Sequence, residues 1–263
     1  ANEGIKVHEY YQPAWGASTT SGEFSNVVGL VPTTGGLCMK ETTHQDLFLT
    51  MGHQLQDLGY YSAAYHNHNK DFYDRNKTHE KLGYDRFIAQ YGGLEGVDAV
   101  WPESDLQMIQ STVDDYIDQQ PFSIYYMTVS GHGNYSRSEN RMTRKNWDRV
   151  AHLDCSDTVK GYLAANLELE YALTALVHAL EEKGIANDTV ICISSDHFPY
   201  ALDTDASLGQ MKYLSELYGY DVSNTLLRDH NRLILWSGSL EEHDPIVVSS
   251  PTSSLDVLPT LLN

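Results

Sequence analysis

Apolar positions along the chain follow two alternating periods. Thr189-Val-Ile-Cys-Ile-Ser-Ser-Asp-His197 and Phe122-Ser-Ile-Tyr-Tyr-Met-Thr-Val-Ser-Gly-His-Gly133 each begin as a continuous apolar, β-rich run, the pattern of a strand buried on both faces. Tyr60 to Tyr65 and Arg232-Leu-Ile-Leu-Trp-Ser237 read as further strands. Between them the spacing becomes helical. Leu47, Met51, Leu55 and Leu58 share one face after a cap at Thr42 or Thr43, and Gly59 stops the run. Ser104 or Asp105 opens a helix with Leu106, Ile109, Val113, Tyr116 and Ile117 at core spacing, and Pro121 marks the passage into the next strand. From Tyr162 to Lys183 the stripe is Leu169, Leu173, Leu176, Val177 and Leu180, closed by Gly184. Gly92 to Trp101 and Ser136 to Leu153 read as loops or insertions. Strands alternating with helices predict an α/β fold, a predominantly parallel sheet with helices on both faces.

Chemistry-bearing residues stand where the strands end. Asp196 and His197 follow an apolar run, and ligands of open α/β sheets bind beyond the carboxyl ends of strands. A carboxylate oxygen beside an imidazole nitrogen suits zinc or manganese. The simpler alternative is a helix cap at Asp196 and a loop histidine at His197. Trp15-Gly-Ala-Ser-Thr-Thr-Ser-Gly-Glu-Phe24 is a hydroxyl-rich turn running into Val27, Val28, Leu30 and Val31. Its hydroxyls either cap a helix or set a nucleophile at a helix N-terminus, where the dipole favours a phosphate or sulfate. Glycines on both sides of His132 permit close backbone approach and expose its imidazole.

Composition narrows the function classes. A chain of 263 residues can bury one substantial core, and its continuous patterning predicts a single domain. With 17 Lys and Arg against 36 Asp and Glu, the formal net charge of −19 argues against nucleic acid and against adsorption to anionic lipid. No apolar run reaches the roughly 18 residues a membrane helix needs, and no signal-peptide pattern is visible. Cys38, Cys155 and Cys192 leave at least one thiol unpaired, and Cys192 reads as a small buried hydrophobe.

Taken in order, these segments resemble the lipoteichoic acid synthase branch of the sulfatase and alkaline phosphatase superfamily, nearly end to end. Ser18-Thr-Thr-Ser-Gly-Glu-Phe24 is similar to the nucleophile motif, with Thr19 four residues before the Glu of the Glu-Phe pair. Tyr65-His-Asn-His-Asn-Lys-Asp-Phe-Tyr-Asp-Arg75, followed by Leu82-Gly-Tyr-Asp-Arg-Phe87, is similar to the substrate segment. The resemblance therefore implies phosphoglycerol contacts for His66, Tyr73 and Arg75, with Tyr73 standing where a Trp is often found. It implies an active-site role for His132, within Ser130-Gly-His132, and metal binding by Asp196 and His197 together with Thr19. For Arg75 the alternative is a surface ion pair with Asp71 or Asp74, and for His132 a loop histidine. His8, His44, His53, His68 and His178 receive no role.

Members of that family carry a further metal-binding Glu on a strand several tens of residues before the nucleophile, whereas only eighteen residues precede Thr19 here. Glu3 and Glu9 are read as structural, because Gly4-Ile-Lys-Val-His-Glu-Tyr-Tyr11 is similar to a later strand, the one leading into the nucleophile turn. Ser254 to Asn263 is similar to the helix after the last catalytic strand. The expectation is one sulfatase-like catalytic domain over 1–263, a piece without its first strand, its C-terminal part or membrane segments, and with weakened metal affinity.

The implied reaction is transfer of phosphoglycerol from a phosphatidylglycerol-like lipid donor to a glycerol phosphate polymer or glycan acceptor. It runs through a phosphothreonine at Thr19 with one divalent metal, manganese foremost and magnesium or zinc as alternatives. The parent protein is expected on the extracellular face of the bacterial cytoplasmic membrane. A hydrolase of the same fold is the near alternative, although the Cys/Ser-x-Pro-x-Arg pattern of true sulfatases is absent around Thr19. A catalytically silent glycerol phosphate-binding module is the alternative from another class.

Overall fold

The computed structural model describes residues 4–12, 18–33, 37–45, 47–204 and 206–263. Glu3 and residues 15–17 of the hydroxyl-rich turn lie outside them. Two sheets are assembled from strands far apart in sequence. The larger joins β1 (Ile5–Tyr11), β5 (Ile191–Ile193), β6 (His230–Trp236), β7 (Ile246–Val248) and β8 (Thr252–Ser253) in the order β5-β6-β1-β7, with β8 also on β1. The smaller joins β2 (Tyr61–Asn69), β3 (Arg86–Gln90) and β4 (Phe122–Met127) in the order β3-β2-β4. Both ladders of the smaller sheet are parallel, and β1 runs parallel to β7 and β8. β6 is antiparallel to both β1 and β5. The expected parallel sheet is thus present in two pieces, and the larger piece is mixed.

Ten helices among the described residues surround the sheets: α1 (Ser18–Val28), α2 (Cys38–Glu41), α3 (Met51–Asp57), α4 (Arg75–Lys81), α5 (Asp105–Thr112), α6 (Arg141–Val150), α7 (Asp157–Lys183), α8 (Lys212–Tyr218), α9 (Thr225–Arg228) and α10 (Val257–Leu262). Strand alternation splits β2 between two cores. Ala64 joins Phe24, Val27 and Val28 of α1, while Ala63 and Tyr65 join Met108 of α5 on the opposite face. Phe24, Val27 and Val28 sit at the i, i+3, i+4 spacing of one helical stripe, and burying each contributes about 1.5–3 kcal/mol. That burial fixes α1, and with it Thr19, against the sheet.

Two expected elements differ. The helix awaited from Thr42 or Thr43 begins at Met51, capped by the Thr50 hydroxyl, and Leu58 is 71% exposed. Its buried face centres on Gly52, where a side chain would overlap the Leu82 and Gly83 backbone, so close approach decides the packing there and the leucine stripe does not. The Ser136 to Leu153 stretch, expected to be a loop or insertion, contains α6, capped by Asn140 through Thr143 N–H at 2.8 Å. Its buried face includes Met142, Thr143, Asn146 and Val150; half of those residues are polar, which hides the helix from a hydrophobicity pattern.

Candidate active site

α1 begins at Ser18, so Thr19 lies in the first turn, at the positive end of the helix dipole. Thr19 is partly exposed, whereas Thr20 is 1% exposed and Ser21 is fully buried. Thr19 Oγ1 stands 3.3 Å from His197 Nε2, and Asp196 Oδ2 stands 3.2 Å from the same nitrogen. Two segments distant in sequence thus present one hydroxyl, one carboxylate and one imidazole to a common point.

Polar contacts hold that arrangement from behind. His197 Nδ1–H donates to the Phe198 carbonyl at 2.7 Å, which fixes the tautomer and turns Nε2 toward Thr19. Gln12 Nε2 donates to the Asp196 carbonyl at 2.8 Å, and Asn26 Nδ2 donates to the Ser195 carbonyl at 3.1 Å. Tyr10 and Ser194 hydroxyls share a 2.7 Å bond. A Cβ built on Gly22 would overlap the Asp196 backbone, so only glycine lets α1 lie this close to the 194–197 turn. Burial raises the Asp196 carboxyl above its ordinary range, and the His197 imidazole pulls it back down. A carboxylate left with such an unfavourable environment suits a cation.

The donor set can be tested by its spacing. Ligand atoms sharing one ion at bond lengths of about 2.0–2.2 Å stand about 2.8–3.6 Å apart, and the separations of 3.2 and 3.3 Å fall in that window. Oxygen, oxygen and nitrogen donors fit manganese, magnesium or zinc. Among the described residues no cluster of three or more His, Cys, Asp or Glu is poised on a metal, and Thr19 Oγ1 is the hydroxyl that stands beside Asp196 and His197. Glu9 accepts from Tyr11 at 2.7 Å, consistent with a structural reading.

The predicted substrate residues fall into two further groups. Arg75 is 1% exposed and does not pair with Asp71 or Asp74. Its Nε and Nη2 donate to Glu23, the closest contact being 2.9 Å, while Asp74 pairs with Lys40 and Lys77. Glu23 stands one turn beyond Thr19 on α1. Burial works against its charge, yet Arg75 and His79 hold its carboxyl far below the usual range. His66 is 2% exposed, donates from Nδ1 to the Met127 carbonyl at 2.9 Å, and turns Nε2 toward Arg75 Nη1 at 3.5 Å. Burial first, and Arg75 second, lower its pKa to about 3, so it is a neutral imidazole. His66 and Arg75 therefore spend most of their polar atoms on the protein itself.

The other group is a strip of rings. Tyr73 has a left-handed backbone, φ 59°, and stands 5.4 Å from the Arg75 guanidinium. From Tyr73 the contacts run through Phe72 at 4.4 Å, His68 at 5.2 Å and Trp101 at 5.1 Å to His132 at 4.8 Å. His132 is exposed, and its Nδ1–H donates to the Gly133 carbonyl at 2.9 Å. Its turn is pinned by buried Asp105, which accepts from Val129 and Ser130 N–H and from the Ser130 hydroxyl. Asn140 Nδ2 also donates to the His132 carbonyl at 3.0 Å. Sequence reasoning read Asp105 only as the start of a helix and gave His68 and Trp101 no role; the one available signal was the density of His and aromatic residues between Tyr65 and Tyr73.

Comparison with known proteins places this geometry in context. A family model described as Sulfatase matches residues 1–263. A lipoteichoic acid synthase-like protein, YvgJ, of Bacillus subtilis is 23% identical over 97% of this chain and 40% of its own length. A lipoteichoic acid synthase of Staphylococcus saprophyticus is 24% identical over 100% of this chain and 39% of its own length. The chain thus spans about two-fifths of the curated relatives it matches. Among solved structures, the lipoteichoic acid synthase LtaP of Listeria monocytogenes superposes with a TM-score of 0.74 at 20% identity, over 100% of this chain and 63% of that one. The α/β architecture is therefore of the alkaline phosphatase and sulfatase type.

Proposed function

This chain belongs to the sulfatase family, and from that premise we propose that it is the catalytic part of a phosphoglycerol transferase. The enzyme moves a phosphoglycerol or similar phospho-alcohol group from a phosphatidylglycerol-like lipid to a glycerol phosphate polymer or glycan, on the outer face of a bacterial membrane. The observation that carries this reading is the approach of Thr19 Oγ1 to His197 Nε2 at 3.3 Å, with Asp196 Oδ2 3.2 Å from the same nitrogen. The likeness of the His66 to Arg75 segment to a phosphoglycerol-contacting segment supports the substrate class, as do the names of the relatives.

Thr19, Asp196 and His197 would hold the divalent ion, which when bound lowers the pKa of the hydroxyl and offsets charge on the phosphoryl group. Thr19 Oγ1, its proton released to solvent, attacks phosphorus as the alkoxide, the bond to the lipid's leaving oxygen breaks, and the group rests on Thr19 as a phosphothreonine ester. His132 donates a proton to the leaving oxygen. Because Nδ1–H is committed to the Gly133 carbonyl, Nε2 is the nitrogen that moves protons. In the second half-reaction an acceptor hydroxyl gives its proton to Nε2 and attacks phosphorus, and the bond to Thr19 breaks. Water in place of that hydroxyl makes the same chemistry a phosphodiesterase. Arg75 contributes positive charge from behind the site, within electrostatic range of Asp196, and the first turn of α1 favours the phosphate.

Mass spectrometry tests the reading directly. Protein incubated with manganese and phosphatidylglycerol is expected to carry a phosphoglyceryl group on Thr19, and Thr19→Ala to carry none. Label on Ser18 or Thr20 overturns the nucleophile. No label with manganese, magnesium or zinc, while glycerol phosphate still binds, replaces the enzyme by a silent binding module.

A further inference from the structure

Beside the ring strip lies a cavity of about 460 Å³ whose lining includes His68, Asp71, Phe72, Tyr91, Trp101 and Glu103. Its walls are unusually open for their chemistry: Phe72, Tyr91 and Trp101 are 47%, 66% and 41% exposed. Rings of that size gain by burial, and an exposed cluster of them marks a surface that something covers. Tyr91 also holds a left-handed backbone, φ 61°, a strain that gathers at binding sites. Among the lining residues, Glu103 is only 3% exposed. Its Oε1 accepts from His68 Nδ1–H at 2.8 Å, while Oε2 is buried and has no hydrogen-bond partner among the described residues. A buried carboxylate oxygen without a donor is costly, so this atom is ready to accept an O–H or N–H brought by a ligand.

We infer that this cavity is the acceptor subsite, taking a neutral, hydroxyl-rich group, a sugar or a terminal glycerol, with one hydroxyl donating to Glu103 Oε2. The inference rests on the transferase reading above and adds the partner of its second half-reaction. Charge selects against a phosphate here, because the lining holds carboxylates and no lysine or arginine. Exposed rings offer a stacking plane for the C–H face of a sugar. Trp101 supplies the connection: its ring contacts His132 at 4.8 Å, so an alcohol lying on it is presented to the imidazole that takes its proton. An ammonium group would also be drawn by carboxylates and rings, but the acceptor must reach phosphorus through oxygen, and the hydroxyl is therefore the ligand chosen.

Binding without turnover tests this independently of the phosphoryl chemistry. Thr19→Ala protein is titrated with glycerol, methyl glucoside, choline and inorganic phosphate, followed by saturation-transfer NMR. Glycerol or the glucoside is expected to bind saturably, and about tenfold more weakly after Glu103→Gln, as befits one charge-assisted hydrogen bond lost. Tyr91→Ala, at an exposed position where folding is not at stake, is expected to weaken the glucoside as well. Preference for choline or phosphate, absence of saturable binding, or binding indifferent to both substitutions in folded protein overturns the subsite. None of those results bears on whether Thr19 is phosphorylated.

Discussion

Neutral His66, packed between the Met127 carbonyl and the Arg75 guanidinium, ties the stability of the site to pH. Its ordinary value of 6.5 falls to about 3 in the folded protein, through burial and then Arg75. Between those values the unfolded chain binds a proton that the folded one refuses. Its contribution is therefore complete above the ordinary value and is lost as pH falls, at up to about 1.4 kcal/mol per pH unit. Glu23 acts in the same sense lower down: its carboxyl is depressed by Arg75 and His79 against the effect of burial, so its stabilisation is present above the ordinary glutamate value and is lost on further acidification. Denaturant titrations from pH 6.5 down to 5 should show wild type losing stability more steeply than His66→Asn, by about 1 kcal/mol per pH unit. Equal slopes would rule His66 out as the source.

At the scale of elements, the site depends on how closely α1 meets the turn after β5. Gly22→Ala would drive a Cβ into the Asp196 backbone, where no flexible side chain can yield. The expected cost is about 1–3 kcal/mol of stability, the usual range for overpacking. Manganese affinity, read by calorimetry, should fall as well, because Thr19 and Asp196 shift apart. Gly184→Ala gives the contrast: it has open space around it but φ of 75°, so it should cost about 1 kcal/mol and leave metal affinity alone. A Gly22→Ala protein with unchanged affinity would show that α1 does not position the site. These elements were legible to unequal degrees. The β4 and β5 runs stand out because β-branched and aromatic residues stop abruptly at Gly-His-Gly and Asp-His, and a strand end is a local signal. The Glu23–Arg75 pair is not local. Its partners lie 52 residues apart and only burial reveals them; sequence spacing offered Asp71 or Asp74 as the ion-pair alternative to a phosphoglycerol contact. Likewise the direction of β6 depends on where the chain returns, which no periodicity records.

For the whole molecule, charge is the property that acts at a distance. A net charge of −19 spread over one chain repels anionic surfaces within a Debye length of about 8 Å at physiological salt. No helix among the described residues is long and apolar enough to cross a membrane. On its charge alone, this polypeptide is expected not to sediment with phosphatidylglycerol vesicles at physiological salt, and added salt should not weaken any association that remains. Salt-sensitive sedimentation would reveal a basic docking face that the formal charge conceals.

The central position of β1 shapes how such a protein is made. Among the described residues β1 pairs with residues 230–235, 246–248 and 252–253, whereas the β3-β2-β4 sheet is complete by residue 127. During translation the latter can close early and wait. Within the described residues, the strand leading to Thr19 has nothing to zip onto until residues 230–235 have left the ribosome. The nascent chain is thus chemically mute until β6 emerges, and a stalled product ending before β6 would be released without an assembled nucleophile.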